Sequence, residues 1–313
     1  MKPFSIAIHG GAGTLVRGQM TAEKEAIYLR ALKTALEAGY GVLNAGGTAL
    51  EAVKSAVVEL ENDDLFNAGK GAVFTNTGSH ELDASIMDGR TLSAGAVGAV
   101  KYVRNPILLA DKIMTSSEHV FMGGEGALDF AKLMGLEIVP DDYFYSDLRY
   151  QQWKLAKEED KVALDHNISL GEGKKFGTVG AVALDQFGNL AAGTSTGGMT
   201  NKKFGRMGDT PVIGSGTYAN NNTCAISCTG HGEIFLQAVA AYDVSALMEY
   251  RGMSLQQAMD EVVNKKLVKM GVEGGMIGVD RIGNCVMLFN SEGMYRGMKS
   301  SSGREEFGIY GSR

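Results

Sequence analysis

Cysteine and proline are scarce in this chain, and each shortage excludes a class of protein. The 313 residues include 3 cysteines and 4 prolines. Three cysteines are too few for a disulfide framework, and the spacing of Cys224 and Cys228 in a strand-like run favours buried thiols over metal ligands. The low proline content and the absence of a G-X-Y period exclude collagen and disordered linker sequence.

Long apolar runs and an excess of basic charge are also missing. No stretch approaches the ~20 apolar residues that cross a bilayer, and the polar segment Met1–Gly11 is unlike a signal peptide. With 30 Lys and Arg against 36 Asp and Glu, the net charge is −6. A basic face for nucleic acid or anionic lipid is therefore not expected. The sequence predicts a cytoplasmic protein that binds neither nucleic acid nor membranes.

Familiar catalytic motifs are absent as well. The chain has no G-x-S-x-G, H-E-x-x-H, C-x-x-C or phosphate-binding loop. Its 5 histidines do not have metal-ligand spacing. A hydrolase built on this chain would therefore need a base other than a His–Asp pair. The histidines are His9, His80, His119, His166 and His231.

Hydrophobic periodicity predicts paired helices and antiparallel hairpins in both halves of the chain. Predicted helices begin at Thr21, Thr48 and Ser254 (through Met270) and cover Asn105–Met114, Gly123–Met134 and Gly232–Arg251. Predicted strands are Phe4–His9, Leu82–Met87, Leu92–Val103, Thr178–Asp185, Leu190–Thr196, Met276–Asp280 and Cys285–Asn290. Strands rich in Ala, Gly and Val suit sheets covered on both faces. The pattern indicates an α+β fold in which two sheets stack between helix layers.

Residues 153–177 interrupt this pattern. The stretch is rich in Lys and Glu, has few apolar residues and shows no periodicity, which predicts an exposed linker. A second strand-rich half begins directly after it, at Thr178.

Glycine is the abundant residue, and it recurs beside hydroxyls and charges. The 43 glycines are about twice the usual ~7% share. Three glycine-rich segments, Thr194–Gly198, Gly205–Asp209 and Thr229–Glu233, offer hydroxyls and bare amides that could stabilise an oxyanion. Arg206 and Asp209 could grip the carboxylate and ammonium of an amino-acid-like ligand. The alternative is a set of glycine turns with a surface ion pair.

Eight segments, taken in order, resemble the type III (plant-type) L-asparaginase / isoaspartyl peptidase family of N-terminal nucleophile hydrolases, bacterial branch. No single segment is specific, but together they run over nearly the whole chain. They are His9–Gly13, Phe66–Gly71, Glu81–Gly89, Gly177–Asp185, Thr194–Asn201, Gly205–Asp209, Tyr218–Asn221 and Thr229–Glu233.

The resemblance implies a single αββα sandwich made as a zymogen. The precursor would cut its own Gly177–Thr178 bond, leaving an α subunit of residues 1–177 and a β subunit of residues 178–313. The family also implies a dimer of αβ heterodimers, that is, a heterotetramer, and no cofactor for catalysis.

The catalytic residues carried over by position surround the new N-terminus. Thr178 would be the nucleophile, and its freed α-amine, which titrates near ~7.7–8.0, would be the base. Thr196 would bond the Thr178 hydroxyl, and Thr229 with the Gly230 N–H would form the oxyanion hole. Asn67 would line the site.

The substrate residues also follow from the resemblance. Arg206 would bind the α-carboxylate of the aspartyl group, and Asp209 its ammonium, with help from the Gly232 carbonyl, Thr229 and Gly230. The reaction would be hydrolysis of the side-chain amide of L-Asn or of a β-aspartyl dipeptide through a β-aspartyl-threonine enzyme. His9 is interpreted as a structural histidine, and His231 as a non-essential modulator of substrate choice. Met87, Met199 and Met207 are assigned to packing.

A structural sodium ion is a further expectation from the family. Its ligands would be backbone carbonyls, which leave no side-chain signature in the sequence. The matching residues are Leu60, Glu61, Asp63, Phe66, Ala68 and Lys70.

Two other functions stay open at this point. Glycosylasparaginase resembles the same fold and mechanism, although that branch has His-Asp before the nucleophile where this chain has Phe176 and Gly177. A non-catalytic amino-acid-binding protein on the same scaffold would remain one intact chain.

Overall fold

The computed structural model describes residues 2–13, 15, 17–18, 20–158 and 177–311. The strands there are β1 (Ser5–Gly13), β2 (Leu82–Asp88), β3 (Ala94–Val100), β4 (Phe121–Gly123), β5 (Val179–Leu184), β6 (Leu190–Thr196), β7 (Thr217–Ala219), β8 (Cys224–Gly230), β9 (Gly274–Asp280), β10 (Cys285–Phe289), β11 (Gly293–Ser300) and β12 (Glu305–Tyr310). The α-helices are α1 (Ala22–Asn44), α2 (Ala49–Asn62), α3 (Pro106–Ser116), α4 (Gly124–Leu133), α5 (Asp147–Glu158), α6 (Gly232–Ala238), α7 (Ala240–Arg251) and α8 (Leu255–Asp260). A π-helical segment, Glu261–Leu267, continues α8.

The strands form two sheets. The eight-stranded sheet has the order β12-β11-β1-β5-β6-β2-β3-β4, and the four-stranded sheet has the order β10-β9-β8-β7. Among the described strands all neighbours are antiparallel except β3 and β4. Hairpin turns at Asp185–Asn189 and Asp280–Asn284 join β5 to β6 and β9 to β10. In each turn the Asp carboxylate accepts hydrogen bonds from backbone N–H groups.

Helices cover the outer face of each sheet, and the two inner faces pack on each other. Helices α1, α2 and α3 lie on the large sheet, and α7 and α8 lie on the small one. Between the sheets, small and branched side chains such as Ala7, Val182 and Ile277 form a separate core. This arrangement confirms the predicted αββα sandwich.

Glycines allow helices to pack closely on the large sheet, in addition to allowing the two sheets to pack closely on each other. A Cβ at Gly193 on β6 would lie 2.8 Å from the Val53 side chain of α2. A Cβ at Gly95 on β3 would collide with the backbone carbonyl of Ala110 in α3. These glycines therefore let α2 and α3 lie closer to the sheet than alanine would allow.

Helix starts were predicted well, because the signals are local. Thr21 accepts from Lys24 N, and Thr48 and Ser254 each form a full capping box. The predicted helix Gly232–Arg251 was wrong in one respect: it divides into α6 and α7 at Val239, which has φ of 50°. The Tyr242 and Ala241 N–H groups donate to Gly214 O and Ser215 O, so tertiary bonds hold this break.

The predicted linker began too early. Residues 153–158 complete α5, in which Gln152 and Ala156 are buried. The Lys157 ammonium lies 4.7 Å from the Trp153 ring, and Trp153 itself packs against Phe74. The charges that suggested an exposed linker are thus the polar face of a helix that is held by aromatic contacts. The rest of the predicted linker, residues 159–176, lies outside the described residues.

The topology brings several strand ends to one place. Thr178 immediately precedes β5, Thr196 ends β6 beside it, and Asp83 near the start of β2 is the cross-strand partner of Thr196. From the small sheet, the end of β8 at Thr229 and Gly230 reaches the same edge. Within the described ranges, no helix is long and apolar enough to cross a membrane.

Candidate active site

A small cleft lies where these strand ends meet. Its volume is about 20 Å³, which leaves room for about one water molecule. Seven residues that the sequence singled out as site residues line it together, whereas Thr229 and Asn67 are not among its lining residues. The lining residues are Gly177, Thr178, Thr196, Gly198, Met199, Arg206, Gly208, Asp209, Thr210, Gly230 and Gly232.

Thr196 joins the hydroxyl of Thr178 to the carbonyl before it. The Thr178 hydroxyl donates to Thr196 Oγ1 over 3.3 Å, and the Thr196 hydroxyl donates to Gly177 O over 2.9 Å. The Gly198 N–H donates to Thr196 Oγ1 over 3.0 Å. Because the only hydrogen of Thr196 is directed at Gly177, its oxygen can act only as an acceptor towards Thr178. The arrangement orients the Thr178 oxygen beside the Gly177–Thr178 peptide.

Asn67 supplies a second donor to the same carbonyl. Its Nδ2 donates to Gly177 O over 2.9 Å and to Gly198 O over 2.8 Å, and its Oδ1 accepts from Val73 N over 3.1 Å. The side chain is buried and every polar atom has a partner. The Gly177 carbonyl thus carries two hydrogen bonds from fixed donors, as an oxyanion hole does.

Gly230 lines the cleft. Its neighbour Thr229 is buried and is not among the lining residues. Thr229 Oγ1 accepts from Ala12 N over 3.4 Å, and its hydroxyl hydrogen has no acceptor among the described residues. A Cβ at Gly230 would lie 2.6 Å from the Phe235 ring, so this position admits no side chain. Both predicted oxyanion donors are therefore close to the cleft.

Arg206 is held by Glu233, which the sequence did not identify as a site residue. Its Nε and Nη2 donate to the two carboxylate oxygens of Glu233, each over 2.7 Å, and His231 Nε2 lies 3.2 Å from Glu233 Oε2. Burial alone would raise the pKa of the Glu233 carboxyl, but the bonds from His231 and Arg206 hold the pKa well below its usual range. The Nη1 group of Arg206 has no acceptor among the described residues. In the sequence, the sign of this pairing was that Glu233 is charged and ends the glycine-rich segment Thr229–Glu233.

Asp209 has a buried carboxyl group of which one oxygen lacks a hydrogen-bond partner. It is 5% exposed, and Oδ2 has no hydrogen-bond partner. Burial raises the pKa of Asp209 to about 7, even though Arg206 nearby lowers it. A Cβ at Gly232 would lie 3.0 Å from Asp209 Oδ1 and 2.8 Å from Arg206 Nη2. The glycine therefore keeps the space between the two charged groups open.

A buried lysine, which the sequence did not identify as a site residue, supports the turn behind Thr196. The Lys202 side chain is 1% exposed, and its Nζ lies 3.5 Å from Glu81 Oε2. Its Cδ would lie 3.1 Å from a Cβ at Gly198. Asp83, the cross-strand partner of Thr196, is also buried; burial raises its pKa, and the Lys202 charge opposes that rise.

The loop after α2 presents carbonyl oxygens at two glycines. A Cβ at Gly69 would collide with Glu61 O, and a Cβ at Gly71 would collide with Phe66 O. The Glu61 carboxyl points elsewhere, accepting from Ser195 Oγ over 2.6 Å, and burial raises its pKa to about 8. Among the described residues no group of three or more His, Cys, Asp or Glu could hold a metal ion. Two of the carbonyls expected to bind sodium, those of Glu61 and Phe66, thus lie against glycines that no larger residue could replace.

Comparison with known proteins finds relatives that match nearly the whole chain. A family model described as asparaginase, Asparaginase_2, matches residues 1–309. The isoaspartyl peptidase of Salmonella typhimurium is 53% identical over 311 residues, which are 99% of this chain and 99% of that protein. That of Escherichia coli is 52% identical over 306 residues, covering 97% and 95% of the two chains. The human isoaspartyl peptidase/L-asparaginase is 39% identical over 309 residues, or 99% and 96%.

Proposed function

The chain belongs to the asparaginase family Asparaginase_2, and on that basis we propose that it is an isoaspartyl peptidase and L-asparaginase. The substrates are L-Asn and β-aspartyl dipeptides. One observation carries the substrate class: Asp209, whose buried carboxyl has an oxygen without a hydrogen-bond partner, lines the same cleft as Arg206 and Thr178. An α-amino acid has one ammonium and one carboxylate, which match this pair of charges.

Maturation begins at the Gly177–Thr178 bond. The Thr178 oxygen attacks the carbonyl carbon of Gly177, while Asn67 and Thr196 donate to the oxygen on which charge develops. The C–N bond breaks, the threonine nitrogen takes up the proton as an amine, and an ester remains. Water hydrolyses that ester and leaves a carboxylate at Gly177 and a free amine at Thr178.

The freed amine supplies the base that the uncleaved chain does not have. An α-amine titrates near ~7.7–8.0, so near neutral pH it can accept the proton of the Thr178 hydroxyl. The oxygen then attacks the side-chain amide carbon of the substrate, and Thr229 and the Gly230 N–H donate to the oxyanion. Ammonia or an amino acid leaves with a proton, and water hydrolyses the β-aspartyl ester.

Arg206 and Asp209 hold the aspartyl group during these steps. Glu233 occupies the Nε–Nη2 edge of Arg206, so the substrate carboxylate meets the Nη1 side of the guanidinium. Asp209 and the Gly232 carbonyl accept from the substrate ammonium. Because the Asp209 pKa is raised to about 7 by burial, an arriving ammonium favours its charged form.

A sodium ion, the location and the assembly complete the proposal. The carbonyls of Leu60, Glu61, Asp63, Phe66, Ala68 and Lys70 would hold sodium, whose part is to fix the loop that carries Asn67. The three described cysteines are free and buried, which suits a cytoplasmic enzyme. The mature form is a dimer of αβ heterodimers.

Substrate assays distinguish this function from its alternatives. We expect ammonia release from L-Asn and aspartate release from β-Asp-Leu, and no glycosylamine release from glycosyl-asparagine. Strong turnover of glycosyl-asparagine with none of β-Asp-Leu would indicate glycosylasparaginase. A single intact chain that binds L-aspartate without turning over either amide would indicate a binding protein.

A further inference from the structure

His9, which was predicted to be a structural histidine, contacts the backbone of Thr178, the proposed nucleophile. It is fully buried on β1, and its Nδ1 lies 3.0 Å from the carbonyl oxygen of Thr178. Its Nε2 lies 2.9 Å from Ser227 Oγ on the small sheet. The imidazole thus joins the backbone of the nucleophile to the opposite sheet.

Beyond Ser227 the contacts continue as a chain of buried hydroxyls, which we call the hydroxyl chain: Ser227, Thr194, Thr217 and Ser85. The oxygen–oxygen distances along it are 2.7, 2.6 and 2.8 Å. Ser85 Oγ also lies 2.6 Å from the carbonyl of Thr210, the neighbour of Asp209. The hydroxyl chain therefore connects the substrate-binding segment with His9 through the interface between the sheets.

The Thr178 carbonyl determines which atoms donate in the part of the hydroxyl chain nearest to it. The Thr178 carbonyl can only accept, so His9 Nδ1 carries the hydrogen. Burial lowers the pKa of His9 to about 3, so the ring is neutral and Nε2 must accept from Ser227. Ser227 then accepts from Thr194, whose alternative acceptor, Gly216 O, is more distant at 3.3 Å. The bonds therefore run one way from Thr217 to Thr178. The single hydroxyl hydrogen of Ser85 has two acceptors, Thr217 Oγ1 at 2.8 Å and the Thr210 carbonyl at 2.6 Å.

Gly180 leaves the room that this contact needs. It is the cross-strand partner of His9 on β5. A Cβ at position 180 would collide with Ser227 Oγ and would lie 2.5 Å from His9 Nε2. Any larger residue there would push the imidazole away from Ser227, so the position suits glycine on grounds of space alone.

From this geometry we propose that His9 is a positioning residue for Thr178. The hydroxyl chain fixes the tautomer of His9 that carries its hydrogen on Nδ1. The inference rests on the proposed role of Thr178 as the nucleophile. Cleavage removes the covalent restraint on the amino side of Thr178. The bond from His9 to its carbonyl then holds the nucleophile on its other side.

Two substitutions of His9 separate positioning from mere filling of space. In His9→Asn the amide nitrogen stands one bond beyond Cγ, as Nδ1 does, and can still donate to Thr178 O. In His9→Gln the amide reaches Ser227 instead and fills more of the cavity. We expect His9→Gln to lose about 10²-fold in kcat with little change in KM, as for a displacement of about 1 Å. His9→Asn should keep a higher kcat and a higher rate of self-cleavage despite a lower Tm.

A purely structural His9 predicts the reverse order, because glutamine fills the site better. His9→Gln with kcat and cleavage rate equal to or above those of His9→Asn would therefore overturn the proposal. The matched pair His80→Asn and His80→Gln alters a buried histidine that pairs with Asp141. The two His80 variants should change Tm, but kcat should not be higher in His80→Asn than in His80→Gln.

The tautomer of the unsubstituted protein gives a test that needs neither folding of a variant nor activity. Nitrogen NMR of the His9 ring should show Nδ1 protonated and Nε2 unprotonated, unchanged between about pH 5 and 8. An Nε2–H tautomer would contradict the proposal even if Thr178 proves to be the nucleophile. Conversely, wild-type protein that neither cleaves nor hydrolyses refutes the proposed function, whatever the tautomer.

Discussion

Thr196 donates its hydroxyl hydrogen to the carbonyl oxygen of Gly177 over 2.9 Å. Thr196 Oγ1 also accepts from the Thr178 hydroxyl, so one side chain both orients the attacking oxygen and polarises the carbonyl that it attacks. Self-cleavage and hydrolysis therefore depend on Thr196 in different ways. It contacts the scissile carbonyl directly before cleavage, and afterwards it contacts only the nucleophile.

Thr196→Val tests this dual role, since valine keeps the shape and removes the hydroxyl. We expect self-cleavage to slow by about 10²–10³-fold, the usual cost of one lost oxyanion donor. The measurement is the appearance of two fragments on a denaturing gel over time. Thr223→Val is the control, because Thr223 bonds Ser245 in a buried pair that makes no contact with Thr178. Unchanged cleavage in Thr196→Val would rule out the donor role.

Arg206→Ala should separate hydrolysis from maturation. Among the described residues Arg206 bonds Glu233 and makes no hydrogen bond to Gly177 or Thr178, so cleavage should proceed. Loss of the charged partner of the substrate carboxylate should lower kcat/KM for L-Asn by about 10²-fold. Arg104→Ala, which breaks the exposed pair with Glu137, is the control. Failure of Arg206→Ala to mature would indicate a structural role instead.

Asp209 links stability, pH and substrate binding. Burial raises its pKa to about 7, whereas an unfolded Asp titrates near ~3.9. The folded protein therefore binds more protons than the unfolded chain between about pH 4 and 7, and this group lowers the free energy of unfolding as the pH rises through that window. Removing the charge should stabilise the free protein above pH 7.

Asp209→Asn is thus expected to raise Tm at pH 8, to leave it nearly unchanged at pH 4, and to lower kcat/KM by about 10²-fold at pH 8. Thermal unfolding of the ligand-free protein at the two pH values gives the first result. Asp111→Asn is the contrast, since Asp111 is paired with Lys54 over 2.9 Å and should lose stability. A lower Tm for Asp209→Asn at pH 8 would contradict the assigned pKa.

Lys202→Met should be costly to the fold. The lysine is 1% exposed, and Glu81 with Asp83 are the carboxylates near its charge. Removing one partner of a buried pair costs about 3–5 kcal/mol, measurable by chemical unfolding. The exposed pair Lys265–Glu261 provides the control, where Lys265→Met should cost about 0–1 kcal/mol. Equal losses in the two variants would show that Lys202 is not a buried ionic support.

Much of the fold could be predicted from local signals. The capping boxes at Thr48 and Ser254 mark helix starts through bonds within four residues, and strand patterning gave the two sheets and their helix layers. Arg206 and Asp209 could be identified as a candidate grip for an amino acid from their charges in a glycine-flanked loop. Thr178 was identified only by the resemblance of its segment to one family, because its sequence neighbours carry no physical signal for a nucleophile.

What could not be predicted depends on contacts between distant parts of the chain. The charged end of α5 is a helix because Trp153 packs on Phe74, and Val239 breaks a helix because backbone bonds from loop 214–215 hold it. Glu233 and Lys202 looked like ordinary charges until the fold placed them against Arg206 and Gly198. His9 gains its contact with Thr178 from strand register alone.

The most direct test is the N-terminal sequence of the purified, unsubstituted protein. The account predicts two fragments, residues 1–177 and 178–313, with Thr178 as the first residue of the smaller one. It also predicts that Thr178→Ala gives one intact chain and no hydrolysis. An intact wild-type chain that is fully active, or a mature Thr178→Ala variant, would contradict the central claim.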